Sequence, residues 1–304
     1  MIPTAYTVRP RGKFVSVQMD LQVKDRRLAL DHPLIMGIVN VTPDSFFDGG
    51  RFYEPQQAVA HAVQLVEEGA DLLDIGAEST RPGALPVDEE EEHRRLIPVV
   101  AAVAKAVSTP ISVDTSKAAV ARAAIDVGAV MINDVTALRG DTTMVEVVAK
   151  TGAGLVLMHM QGTPETMQRS PHYDDVIEDI TRFLGERARF AMDRGVAHER
   201  IVLDPGIGFG KTITHNVDLL ANLEAFLQLG FPLLVGASRK GFIGQLTRQS
   251  PEGRAWGTAG VVALAVEHGA NILRVHDVAS MKDVVTIADA IARRRLPAGR
   301  EQHA

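Results

Sequence analysis

From residue 34 onward, short runs rich in Val, Ile and Leu alternate eight times with longer segments of helical period. A strand that must be apolar along its whole length is one covered on both faces, as in a parallel sheet wrapped by helices. The runs fall at residues 34–41, 70–75, 111–113, 130–133, 155–158, 201–203, 233–235 and 272–275. Helical segments are expected at 55–68, 89–107, 117–127, 174–194, 217–229 and 253–267, with Gly69, Gly128, Gly195 and Gly269 standing where a helix C-terminus calls for a left-handed residue. Eight strands, each followed by a helix, close into a (β/α)₈ barrel, the TIM-barrel form of the α/β class. An open doubly wound sheet of this size would more often carry an edge and a second domain.

Length agrees with one such barrel, since 304 residues exceed the roughly 250 of a bare barrel by no more than loops and ends. Residues 34–294 form the expected single domain. Residues 1–33 lie outside the repeat; Phe14–Val17 and Leu21–Val23, with a turn-like Lys24-Asp25-Arg26, suggest a small hairpin at the barrel floor. Residues 295–304 read as a flexible tail.

Chemistry is narrowed by what the chain lacks. With no cysteine there is no disulfide, thiolate metal site or cysteine nucleophile. A net charge of −6, with Lys and Arg scattered, argues against a nucleic-acid-tracking face. Neither a membrane-spanning run nor a secretory signal is visible, so a cytoplasmic protein is expected.

Because a barrel builds its site from loops at the C-terminal strand ends, the residues following each apolar run are the informative ones. These are Asn40 with Thr42 to Phe46; Asp74 and then Glu78 to Gly83; Asp114-Thr115; Asn133-Asp134; His159; Asp204-Pro205-Gly206; Ser238-Arg239-Lys240; and Arg274 with His276-Asp277. Helix capping accounts for part of the set, and Ser79, Thr115 and Asp277 fit either reading. It does not account for Arg81, Lys240 and Arg274, because cations are unfavourable at the positive end of a helix. Three cations on one rim call for an anion.

Familiar motifs fail on inspection. Gly206 to Thr212 resembles a phosphate-binding P-loop, but Pro205 stands where its first glycine belongs, and the Rossmann spacing fails too. The glycines instead let backbone approach a flat ligand, with Phe209 as a stacking face. Around Ser238 the nucleophile-elbow pattern breaks at Lys240. His159, between two methionines, is as consistent with packing as with catalysis. Asp88 to Glu92 read as the acidic first turn of a helix. No cluster has transition-metal ligand spacing. Deep in the barrel, Asp114, Asn133 and Asp204 suit a heterocycle with both donors and acceptors, while Arg81, Arg274 and His276 suit an anionic leaving group.

Taken in order, the segments at 40–46, 75–83, 112–115, 132–134, 203–209, 238–242 and 274–277 resemble the signatures of the dihydropteroate synthases, across residues 34–290. The resemblance implies a homodimeric barrel that joins 6-hydroxymethyl-7,8-dihydropterin pyrophosphate to p-aminobenzoate. It implies Asp114, Asn133, Met158, Asp204 and Lys240 at the pterin, and Asn40, Arg81, Arg274 and His276 at the pyrophosphate. Phe47, Thr80, Pro82, Phe209 and Ser238 would lie at p-aminobenzoate, and Asn40 would help place Mg²⁺. Asp114, Asp204, Lys240 and Arg274 would carry the catalysis. The first two rim loops, with Gly49, Gly50 and Gly83 beside Pro43 and Pro82, would order on binding. Two other readings stand beside this one: a pterin-dependent methyltransferase barrel, which has no use for the cationic rim, and a catalytically silent pterin-binding module.

Overall fold

In the computed structural model, residues 19–41 and 55–294 are described. Phe14–Val17, the rim segment with Phe47, and the tail at 295–304 lie outside them. Two antiparallel strands come first, β1 (Asp20–Val23) and β2 (Arg26–Ala29), turning at Lys24-Asp25. The expected hairpin is present with its turn in the expected place, but Leu21–Val23 pairs forward with Arg26–Ala29. Lys24, at φ 53, makes the tight reversal.

Eight parallel strands follow: β3 (Leu34–Asn40), β4 (Leu72–Gly76), β5 (Ile111–Asp114), β6 (Met131–Asp134), β7 (Gly154–Met158), β8 (Ile201–Asp204), β9 (Leu234–Val235) and β10 (Ile272–Val275). Their order is β8-β7-β6-β5-β4-β3-β10-β9. A single bridge between Leu203 and Leu233 joins β8 to β9 and completes the ring. After the successive strands run α1 (Pro55–Glu67), α2 (Glu89–Ala106), α3 (Ala118–Asp126), α4 (Met144–Thr151), α5 (Val176–Asp193), α6 (Ile213–Ala221), α7 (Glu224–Leu227), α8 (Gly241–Thr247), α9 (Ala255–Glu267) and α10 (Val278–Arg293). The segment expected as one helix at 217–229 is two, α6 and α7, broken at Asn222. The four punctuating glycines all have positive φ, and at Gly128 a Cβ would sit 2.7 Å from that of Ala104.

Period-two alternation within the strands explains how one sequence serves two cores. Ile35, Leu73, Val113, Ile132, Leu157 and Leu273 face outward and pack under the helices. Leu34, Leu72, Met131, Val156, Val202, Leu234 and Ile272 face inward, and Leu21 and Val23 of the hairpin join them from below. The hairpin is a plug. Lys24 N–H donates to Gly152 O at 2.7 Å, and Val23 lies so close to Gly154 that a Cβ there would be 2.7 Å away. Two residues further up four of these strands the inward position turns polar: Leu72 gives way to Asp74, Met131 to Asn133, Val202 to Asp204, and Ile272 to Arg274. That switch sets the floor of the site.

Candidate active site

At the centre of the barrel, Arg274 on β10 reaches across to two carboxylates. Its Nε donates to Asp74 Oδ2 at 2.6 Å and its Nη2 to Asp114 Oδ2 at 3.0 Å. Asn133 Nδ2 donates to the same Asp74 oxygen at 2.9 Å. One guanidinium thus serves two buried acids. Asp114 is pushed up to about 7 by burial, which outweighs the attraction of Arg274 and is reinforced by the negative charge of Asp74. Asp74 Oδ1, Asn133 Oδ1 and Ser112 Oγ are buried without a hydrogen-bond partner, an arrangement costing roughly 1–3 kcal/mol per group unless a ligand or water supplies one. The expected rim position of Arg274 is therefore a deeper one.

On the adjoining wall, Asp204 ends β8 and accepts from Gly206 N–H at 2.7 Å. Burial raises its pKa against the pull of Lys240, whose ammonium burial lowers to about 7. Lys240 Nζ donates to Ile207 O and lies 4.1 Å from the centre of the Phe209 ring. Phe209 packs with Met158, Met160, Met167 and Val135. This is an apolar shelf bordered by charged edges, the shape a flat heteroaromatic ring requires.

Toward the opening, His276 Nδ1 sits 3.0 Å from Ser238 Oγ, and its N–H donates to the same oxygen at 3.2 Å. Burial, then the charges of Arg274 and Arg239, lower the His276 pKa to about 3; Arg81 adds to the same effect from the exposed rim. Three arginines converge on one neutral imidazole. Arg239, at φ 56, holds both Asp277 carboxylate oxygens through one guanidinium edge, Nε and Nη2, so the Asp277 side chain is a tether rather than a cap. Thr115 accepts from Lys117 N–H at 3.2 Å and Ser79 from Arg81 N–H at 3.5 Å, local turn roles in both cases.

Thr80, Arg81 and Pro82 ride on a loop secured by Glu78, which takes Lys117 Nζ at 2.5 Å and Val87 N–H at 3.2 Å. Lys117 also bonds Glu92 at 2.5 Å. The acidic run opens α2 as expected, with Asp88 capping through Glu91 N–H at 2.8 Å; Glu92, in the same first turn, is in addition fully buried in this ion pair. Asn40 ends β3, half-buried, opposite Gly76 of β4.

Sequence reading named Asp74 among the strand-end residues but gave it no role, because it lies one inward step below the strand end. Its signal was an acid in an apolar run, two positions after an inward leucine. It also left Lys211 unassigned once the P-loop failed; the structure buries it against His159, 3.0 Å from Nζ to Nδ1. Among the described residues, no group of three or more His, Asp or Glu could hold a metal.

Residues 36–276 match the pterin-binding enzyme family. The dihydropteroate synthase of Escherichia coli is 46% identical over 272 residues, covering 90% of this chain and 96% of that one. A Xanthomonas albilineans dihydropteroate synthase with 4-aminobenzoic acid superposes with a TM-score of 0.86 at 49% identity, over 92% of this chain and 100% of that one. The same bacterium's enzyme in complex with 7,8-dihydropteroate gives 0.82 at 47% identity, over 91% and 100%.

Proposed function

The chain belongs to the pterin-binding enzymes as a dihydropteroate synthase, and from that membership we propose how its residues divide the reaction. It is a transferase of folate biosynthesis. The carbon–oxygen bond of 6-hydroxymethyl-7,8-dihydropterin pyrophosphate breaks, pyrophosphate leaves with the electron pair, and the nitrogen of p-aminobenzoate bonds to the exposed methylene. Loss of one proton from that nitrogen gives 7,8-dihydropteroate.

The observation that carries this reading is the pair of buried acids sharing Arg274 beside an unsatisfied Asn133. An amino-pyrimidine edge offers parallel N–H donors to a carboxylate and an N–H to an amide oxygen. Asp114, Asn133 and Asp204 take the pterin edge, with Lys240 beside them and Met158 against the ring. As pyrophosphate departs, positive charge grows on the methylene and spreads into the pterin; Asp114 and Asp204 are already fixed to stabilise it, with no reorganisation at the moment of bond breaking. Arg81, Arg274 and His276 face the leaving group. His276, neutral by virtue of its low pKa, donates a hydrogen bond there without adding a third charge to those of Arg81 and Arg274. The amine lies against Phe209 and Ser238, beside Thr80 and Pro82. No covalent intermediate on the protein is needed.

A Mg²⁺ ion would fit this site as one held mostly by water and phosphate oxygens, since Asn40 brings a single amide oxygen to the end of β3 and no carboxylate cluster stands among the described residues. Asn40 would hold it, and the ion would neutralise charge on the departing oxygens.

Association into homodimers belongs to the same proposal. Trp256 and Leu264 on α9 and Ile287 and Ile291 on α10 are exposed on adjacent helices, Trp256 at 88%. Apolar surface of that kind marks an interface. Sedimentation of Trp256→Glu should show a shift toward monomer; an unchanged dimer would move the interface elsewhere. A cytoplasmic location is part of the reading as well, because the multiply charged pterin pyrophosphate does not cross a bilayer unaided. No described helix is long and apolar enough to span a membrane.

The assay is release of pyrophosphate by purified protein given the dihydropterin pyrophosphate and Mg²⁺, with and without p-aminobenzoate, dihydropteroate being followed by chromatography. Equal amounts of both products, lost in Asp114→Ala and Arg274→Ala, are expected. Pterin binding without turnover would replace this reading with the silent module.

A further inference from the structure

The loop that presents Phe209 is fastened at every backbone carbonyl from 207 to 210. Ile207 O accepts from Lys240 Nζ, Gly208 O from Gln168 Nε2 at 2.6 Å, Phe209 O from Lys211 Nζ at 2.9 Å and Gly210 O from the Tyr173 hydroxyl at 2.8 Å. Its amides are held too, Gly206 N–H on Asp204 and Gly208 N–H on Asn216 Oδ1 at 2.6 Å. Gly206 and Gly210 have positive φ and lie flat on the backbone of His159 and Gln161, where any Cβ would collide with a carbonyl oxygen.

Within this arrangement Lys211 occupies an unusual place. It is 3% exposed, and its amine bridges Phe209 O to His159 Nδ1, with His159 O at 3.4 Å. The His159 ring is itself held edge-on against Phe183, 4.8 Å between centroids, and tilted on Tyr173 at 5.8 Å. The lysine thus ties the Phe209 main chain to the end of β7, while the Phe209 ring turns to Lys240. No carboxylate pairs with Lys211 among its hydrogen bonds, and burial holds its pKa well below the usual lysine range despite the attraction of Asp204. A long flexible side chain has been spent on fixing one main-chain oxygen.

We infer that Lys211 is a positioning residue for the amine substrate: through Phe209 O and His159 it fixes where the Phe209 ring holds the attacking nitrogen. This rests on the assignment of Phe209 to p-aminobenzoate made above. Lys211 does not itself touch the reacting atoms; of the pterin contacts, Asp114 and Asn133 stand on other strands while Asp204, Lys240 and Met158 border this loop without bonding the Lys211 amine, so the larger part of its effect falls on the amine substrate.

Steady-state kinetics on Lys211→Met, which keeps the apolar stem and removes the donor, tests the inference. The KM for p-aminobenzoate should rise about tenfold, while that for the pterin pyrophosphate stays within about twofold. Tyr173→Phe, which releases the neighbouring Gly210 O without altering a buried amine, should shift the same KM in the same direction by less. If Lys211→Met loses its cooperative melting transition, Tyr173→Phe decides by the same split. Equal rises in both KM values, or an unchanged amine KM in the folded variants, would overturn the inference. Wild-type protein run alongside separates this from the reaction itself: no dihydropteroate from wild type refutes the assigned synthase, whereas normal wild-type turnover with an insensitive amine KM refutes only the role of Lys211.

Discussion

Pterin affinity should tighten as pH rises through neutrality, by an amount the buried acids set. Asp74 and Asp114 share Arg274, and burial pushes Asp114 up to about 7. A ligand whose amino-pyrimidine edge donates to the ionised carboxylate binds only the deprotonated fraction. That fraction is about one in eleven at about pH 6 and about ten in eleven at about pH 8, so the apparent Kd falls about tenfold, or roughly 1.4 kcal/mol. The sign for folding is opposite. A carboxylate with a raised native pKa contributes stability that is full below the ordinary carboxylate range and is lost as pH climbs through about 7, so the ligand gains affinity where the empty protein loses stability. Calorimetry with a pterin lacking phosphates, which removes phosphate titration from the comparison, measures the slope, and buffers of different ionisation enthalpy report the released proton. Asp114→Asn should bind more weakly and flatten the profile. A flat wild-type profile, or an unchanged slope in Asp114→Asn, would refute the reasoning.

Leu21→Ala should destabilise the protein by about 2–5 kcal/mol in denaturant titrations while leaving both KM values near wild type, because the plug lies at the opposite end from the site. Lys117→Met leaves Glu92 buried and unpaired and should cost about 3–5 kcal/mol; adding Glu92→Leu should restore most of it, and a wild-type melting curve for the single variant would show that the pair is idle. Asn40→Ala should raise the Mg²⁺ concentration for half-maximal turnover on the order of tenfold, and an unchanged Mg²⁺ dependence would remove Asn40 from the metal.

Strand number, strand class and the polar strand ends were legible because each is a local property of spacing. Apolar runs locate strands covered on both faces, and β10 falls on the residues expected for it. Depth was not legible. Arg274 could be read as a rim cation because a sequence does not say which acids stand across a ring, and its partners are 200 and 160 positions away. The acidic first turn of α2 was legible, but not that Glu92 within it is buried against Lys117 while Glu89 and Glu90 stay in solvent. The helix expected at 217–229 breaks because Asn222 bonds the Asp218 carbonyl with its side chain, a competition with the helix ladder that periodicity does not register.

Arg274 also dates the site within the assembly of the molecule. From β4 to β8 every strand pairs with the one before it, contacts that a growing chain can make unit by unit. β10 instead pairs with β3 across more than 200 positions, and it brings the guanidinium that Asp74 and Asp114 share. Until that strand docks, the half-formed ring carries two acids facing an unfinished interior. Closing the circle and pairing those acids are a single step, so the shared cation is also the clasp, and a lesion at this position should slow refolding as well as weaken the site.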